Sequence, residues 1–482
     1  MKQYKTKKLP SKIAPIKLQA PKTSAIWLHE PSLLFADGQM NSDPKVGIPL
    51  YGPRSYGTPR HKREIHVGFI GMGESVDKAR DFITECTRGV DGDDSVAPFP
   101  GFSLTQGFYS ELLFDDKIVE AITTTESKDI LGIKDPKLRF EKLLSLLESK
   151  LTLLTQKDHP LDYIFLVLTK ELYKECRVAD YFEKGGEVHR DLRRAFKALA
   201  MSFKVSTQIL QENTVLGISN RDKQLDHKAK IAWNLLTGLY FKVGGLPWGP
   251  TGLAPDSCFI GVSFFRPLGE KSTLRTSVVQ AFDENGEGLI LRGHDFHWSE
   301  EERRSPHLSE EMAGKLVEMV LERYKSERGS PPKRVVLHKS SRFEDPEREG
   351  FEAALRTVDR FDLLALSPTS DVRLLRLGKY PPLRGTAINI GKASYLYTNG
   401  YISDLAAYPH GHVPSPLQIT DHVGDSSLKQ ILSESLILTK MNWNSADFNG
   451  LMPITLRFSK LVGDILREVK GRDPEPQYKY YM

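Results

Sequence analysis

Three basic side chains at regular spacing are the first feature of the chain that could do chemistry. In HRDLRRAFKAL (189–199), His189, Arg193 and Lys197 recur at every fourth residue, which predicts one helical face. Leu192, Phe196 and Leu199 form the apolar stripe beside it. Gln208 follows in the segment VSTQIL, and LDHKAKIAWNLLTGLYFK then runs from an N-cap at Asp226 to Lys242. Lys242 suits the dipole of a helix end, and Gly244 or Gly245 in VGGLPW supplies the left-handed residue that closes it. Taken singly, these are a solvated basic face and a capped helix. Taken together, a basic face, a glutamine and a terminal lysine can converge on one phosphate through charge-assisted hydrogen bonds.

The elements that must hold these side chains alternate in type. REIHVGFIG reads as a buried strand and is followed by a helix from Val76 to Arg88; DYIFLVLT (162–169) reads as a second strand ahead of the basic helix. Strand–helix alternation predicts an α/β unit with a parallel, doubly wound sheet through about residue 250. From Ser257 the pattern changes. CFIGVSFFR, LRTSVVQAFD and GEGLILRG are three strand-like runs separated by turn signals, which predicts an antiparallel meander. A helix (SEEMAGKLVEMVLERYK), the strand RVVLHK, a helix near 350 and the strand FDLLALS follow, the order of an RNase H-like domain. Residues 1–60, rich in Pro, Gly and Lys, read as an extended arm laid over a later domain.

Composition narrows the class. With 482 residues, 39% apolar and 27% charged, the chain can build two or three domains with more than one core. No apolar run reaches the length of a membrane span, and the N-terminal lysines have no apolar block behind them, which argues against a secretory leader. Cys86, Cys176 and Cys258 lie far apart, with neither disulfide nor metal spacing, so a reducing cytoplasm is expected. The net charge of +5 permits a polyanionic partner without requiring one. The lysine-rich first 17 residues read as a solvated tail.

His189, Arg193, Gln208 and Lys242, the last followed by VGGLPW, resemble the guide 5′-phosphate pocket of the MID domain of Argonaute proteins. KMNWNSADFNGLMPITLRFSKLVGDIL (440–466) resembles the closing segment of PIWI domains, and LHEPSLLFADGQMNSDPKVGIPLYGP (28–53) the N-terminal segment of prokaryotic members. The resemblance runs along nearly the whole chain and leaves no room for a PAZ domain, which points to the short prokaryotic branch. It implies an N-terminal arm (1–60), a Rossmann-like MID domain (61–250) and an RNase H-like PIWI domain (251–482). It also implies that the chain end folds back, so that the terminal carboxylate of Met482, with Gln208 close by, helps hold a Mg2+ ion beside the guide phosphate.

Argonautes that cut their target use carboxylates that hold two divalent ions, which activate water and stabilise the leaving oxygen. Aligned on the resemblance, those positions are Ser263 in FIGVSFF, Ser340 after RVVLHK, and Lys460 in PITLRFSK. Glu284 and Glu287 lie near the place of the remaining glutamate, but nothing selects either. Two serines and a lysine cannot bind a pair of Mg2+ ions, and a lysine there attracts nucleic-acid backbone instead. A nuclease-dead PIWI domain is therefore expected. The spacing in GFIGMGES (68–75) is not that of a dinucleotide loop, and it lacks a P-loop lysine. His410 and His412 in YPHGHVP read as a loop pair with no supporting ligands.

In the short branch the resemblance implies an RNA guide, a DNA target and an APAZ-containing partner fused to an effector, sirtuin-like or TIR, that destroys NAD in defence against plasmids and phage. No membrane partner is expected. A self-sufficient endonuclease with displaced metal ligands, or an adaptor for a membrane effector, stays open as an alternative.

Overall fold

Two apolar strands buried on both faces organise the first half of the chain. The computed structural model describes residues 22–183, 186–218, 225–269, 273–282, 288–297, 305–405, 408, 413–447, 450–469 and 475–482. Four strands lie parallel in the order Ser206–Gln211, Tyr163–Leu168, Glu64–Gly71, Glu111–Ala121. Tyr163, Phe165 and Val167 face helices Gly73–Thr87 and Lys228–Lys242, packing with Ala79, Phe82, Trp233 and Leu236. Ile164, Leu166 and Leu168 face the other way, against Leu143, Leu147 and Leu151 of helix Pro136–Thr155 and Leu192 and Phe196 of helix Leu192–Met201. Strands covered on both faces read as continuous apolar runs for this reason. Gly68 and Gly71 of GFIGMGES lie within the strand, with Met72 as N-cap of the helix that follows.

The second half is built on a nine-stranded sheet. Its central strands Ser257–Phe265, Arg334–Lys339 and Arg360–Pro368 are parallel, and Thr273–Phe282 and Gly288–His297 extend it as an antiparallel meander. On the far side come Leu417–Gly424, Ala393–Leu396, Thr386–Ile390 and finally Thr23–Trp27 from the arm, also antiparallel. Helices Glu310–Arg328 and Asp345–Leu355 cover one face through Leu316, Val320 and Phe351. Helix Ile454–Leu466 packs on the other, against the strands 257–265 and 273–282. It comes so close that a Cβ on Gly261 would lie 2.2 Å from the Thr455 carbonyl oxygen, and the His338 ring nitrogen meets the Thr455 hydroxyl at 2.7 Å. A side chain at 261 would lift that helix off the sheet.

The Pro-Trp pair after Lys242 joins the two halves. The Trp248 indole donates to the Lys440 carbonyl at 3.0 Å, and the Trp248 carbonyl accepts from the Trp443 indole at 3.1 Å. Arg190 and Arg194, at the base of the basic helix, pair with Glu468 and Asp464 at 2.8 and 2.9 Å. Glu30 stands between Arg384 and Lys440 of the second half, each 2.8 Å away, while Ser55 meets the Tyr240 hydroxyl of the first half at 2.8 Å. No described helix is long and apolar enough to cross a membrane.

Candidate anion-binding pocket

At the outer strand of the parallel sheet, 206–211, helices from its two faces meet. Asp191 caps helix Leu192–Met201 by accepting from the Arg194 amide at 3.1 Å, which fixes the register of the face bearing Arg193 and Lys197. Helix Lys228–Lys242 arrives from the opposite face. Its end is closed by backbone and strand, not by its lysine: the Lys242 carbonyl accepts from the Ser206 hydroxyl at 2.9 Å, and Gly244 adopts φ +108°. Gly245 must be small, since a Cβ there would lie 2.4 Å from the Tyr240 ring. The Lys242 side chain is thereby left to reach the strand.

Its ammonium donates to the Gln208 amide oxygen at 2.8 Å and lies 3.4 Å from the Tyr163 hydroxyl and 3.5 Å from the Thr207 carbonyl oxygen. The Lys197 ammonium shares that Thr207 oxygen at 3.2 Å. Both lysines are almost fully buried, at 2% and 4% exposure, and among the described residues neither has an acidic partner. Burial and the neighbouring Arg193 guanidinium pull Lys242 down to about 7. Burial, with Lys242 and Arg193 alongside, pulls Lys197 well below the usual lysine range. In front of them opens a cavity of about 580 Å³ lined by Arg193, Gln208, Lys242, Arg457, Asn234 and Asn444 among others. Desolvation also lowers Arg193 and Arg457. Buried like charges with only neutral acceptors form a site that an anion would stabilise.

The structure therefore brings Arg193, Gln208 and Lys242 together, and corrects His189. Residues Val178–Glu183 and Gly186–Asp191 form a β-hairpin in which His189 stands opposite Asp180. Its ring nitrogen meets that carboxylate at 2.6 Å, with half of the side chain exposed. The helix begins only at Leu192, so the four-residue spacing from 189 to 193 crosses a strand–helix boundary and places nothing on a shared face. Lys197, one turn beyond Arg193, is the second cation of that helix at the site. The N-cap of the 228–242 helix is His227, not Asp226, which pairs instead with Lys230 at 2.9 Å. Tyr163 and Arg457 were not foreseen; Arg457 sits in PITLRFSK, three residues before Lys460.

The chain end does fold back. The turn Tyr478–Tyr480 packs against the 228–242 helix and the 206–211 strand, with Tyr478 between Phe241 and Phe458 and Met482 buried. It lies beside the strand that carries Gln208.

Ser263 is partly buried, next in the chain after Val262, and Ser340 is exposed, next after Lys339; Val262 and Lys339 are register partners. By alternation Ser263 shares the face of Gly261, beside its register partner His338, the face covered by helix 454–466, on which Lys460 is exposed; Ser340 lies just past the end of its strand. Lys339 turns to the opposite face, paired with Glu347 and 3.1 Å from the His307 ring nitrogen. Among the described residues no three His, Cys, Asp or Glu side chains stand together as a metal could require. Glu284, Glu287, His410 and His412 lie outside the described residues.

No protein-family model and no curated protein matches the sequence. Solved structures do match the fold. Clostridium butyricum Argonaute bound to a guide DNA and a 19-mer target DNA superposes with a TM-score of 0.65 at 16% identity, over 95% of this chain and 55% of that one. A. aeolicus Argonaute gives 0.58 at 15% identity, over 97% and 56%, and Aa-Ago with externally bound siRNA gives 0.59 at 15%, over 95% and 56%. The chain has the fold of Argonaute proteins and spans little more than half the length of these structures.

Proposed function

We propose that the protein is a short Argonaute that holds a small guide strand by its 5′ phosphate and pairs it with a complementary target. In this reading residues 61–250 are a Rossmann-like MID domain and residues 251–482 an RNase H-like PIWI domain. The observation that carries it is the buried pair Lys197 and Lys242 behind Arg193 and Gln208, cations that meet only neutral acceptors in the described structure. Sequence specificity then resides in base pairing, while the protein supplies shape and charge. The resemblance favours an RNA guide and a DNA target.

With Ser263, Ser340 and Lys460 at the cutting positions, the chain binds its target without cleaving it. Two hydroxyls and an ammonium do not hold the metal pair that hydrolysis needs. Target recognition is instead passed to an APAZ-containing partner, sirtuin-like or TIR, which destroys NAD in the cytoplasm in defence against plasmids and phage. Such a relay requires that target pairing favour one assembly state over another.

The test of the pocket is the double variant Lys242→Met, Gln208→Ala. Its preference for 5′-phosphorylated over 5′-hydroxyl guides should vanish; undiminished discrimination would refute the pocket. Guide-loaded protein incubated with matched target in Mg2+ or Mn2+ should leave the target intact, and a specific cut would refute the inactive PIWI domain. Co-purification identifies the partner.

A further inference from the structure

The charge inventory of the pocket bears on whether its anion arrives with a metal ion, a question that rests on the reading above. The resemblance assigns Gln208 and the terminal carboxylate of Met482 to a Mg2+ ion. The donor set opposes that assignment. The Gln208 amide oxygen already accepts from the Lys242 ammonium at 2.8 Å, and its amide nitrogen donates to the Ile209 carbonyl at 3.2 Å. Met482 does not line the cavity, and among the described residues the lining has a single acidic side chain, Asp226, whose carboxylate is paired with Lys230 at 2.9 Å. Arg193, Lys242 and Arg457 line the same cavity, with Lys197 one layer deeper. Mg2+ is held by carboxylates and phosphate oxygens and keeps its water tightly. A doubly charged ion here would face three cations across an amide oxygen that is already engaged.

We infer that the pocket takes a terminal phosphate without a divalent ion, the Lys242 ammonium standing at the Gln208 oxygen in the place a metal would take. Arg193 and Arg457 supply the remaining positive charge from the two halves of the chain. Nitrogen donors on fixed side chains match phosphate oxygens directly.

The experiment uses the full chain and two oligonucleotides of one sequence, one 5′-phosphorylated and one 5′-hydroxyl, in buffer with EDTA or with millimolar Mg2+. The ratio of the two affinities should agree between buffers within about twofold. A fall of about tenfold or more in EDTA, restored by Mg2+, overturns the inference and leaves the phosphate pocket itself standing. Loss of the preference in both buffers overturns the pocket as well. A second readout needs no variant. Electron paramagnetic resonance of Mn2+ titrated into the protein–guide complex should show no ion bound beyond that held by the oligonucleotide alone. A stoichiometric protein-bound Mn2+ that appears only with the phosphorylated guide overturns the inference. In Lys242→Met, checked for folding by its melting transition, the phosphate preference should collapse in EDTA; its retention there would show that the ammonium does not supply the charge.

Discussion

Two kinds of buried cation lie within this chain, and their surroundings differ in one respect. At the heart of the large sheet Arg334 is clasped by Glu434 and Asp362 at 2.6 and 2.8 Å, all three nearly inaccessible. Lys440 meets Glu30 at 2.8 Å and donates to the carbonyls of Pro31 and Ser42, so that burial lowers it only to about 8. Lys339 is matched by Glu347. At the edge of the small sheet, Lys197 and Lys242 have carbonyl, amide and phenol oxygens and, among the described residues, no carboxylate. A buried charge left unmatched destabilises the empty fold, whereas one matched internally does not call for a ligand. The first group is matched within the fold; the second carries charge that an anion from outside would match.

The contrast breaks most visibly through stability. Lys440→Met leaves Glu30 with half of its charge partners and two backbone carbonyls without a donor, and should cost about 3–5 kcal/mol. Denaturant midpoints measure it, and proteolysis within residues 22–60 should accelerate. Lys242→Met, by removing an unmatched charge of equal burial, should instead raise the melting temperature of guide-free protein below pH 7. Two substitutions of the same chemistry with the same sign would erase the distinction.

Binding sharpens it next. One charge-assisted hydrogen bond is worth about 1.5–3 kcal/mol, so Lys242→Met should weaken the 5′-phosphorylated guide roughly 10- to 150-fold and leave the 5′-hydroxyl guide nearly unaffected. Filter binding of the two guides reads the ratio. Equal losses on both would mean that Lys242 supports the fold and not the phosphate.

The pH dependence follows from the same side chain with a smaller effect. Burial beside Arg193 lowers Lys242 to about 7, and a bound phosphate raises it again. Above pH 7, loading therefore takes up a proton, and affinity for phosphorylated guides should fall by up to about tenfold per pH unit. Because the unfolded chain keeps this proton up to the ordinary lysine value of 10.5, guide-free protein should gain stability as pH rises from about 7 toward that value. Hydroxyl guides should show no such slope in binding. A flat profile for the phosphorylated guide would place the contact elsewhere.

What could be read from residues alone tracks the range of the interactions. The strands 64–71 and 163–168 announce themselves as apolar runs, and Arg193 and Lys197 stand one turn apart, since those signals are local. The pairing of Thr23–Trp27 with Thr386–Ile390 has no local trace, because register between segments so far apart is decided by packing. Arg457 was invisible for a similar reason: it enters the pocket from a helix whose apolar face is fixed by the other sheet. Tyr163 was hidden inside a run that reads as pure core. His189 failed differently. The helical period was begun at His189, although the paired glycines just before it, in EKGGEVHRD, signal a hairpin and Asp191 signals the helix start.

That hairpin furnishes the smallest expected effect. The His189–Asp180 pair is about half exposed on both sides, so water screens it and its worth is about 0–1 kcal/mol. His189→Ala should therefore change guide affinity by less than about twofold and leave the phosphate preference whole, with only a slight shift in melting temperature. The comparison depends on that quiet result. If removing His189 abolished the preference by about tenfold, the hairpin would have to swing over the pocket when a guide binds, and the cations gathered in the guide-free fold would be only part of the phosphate site.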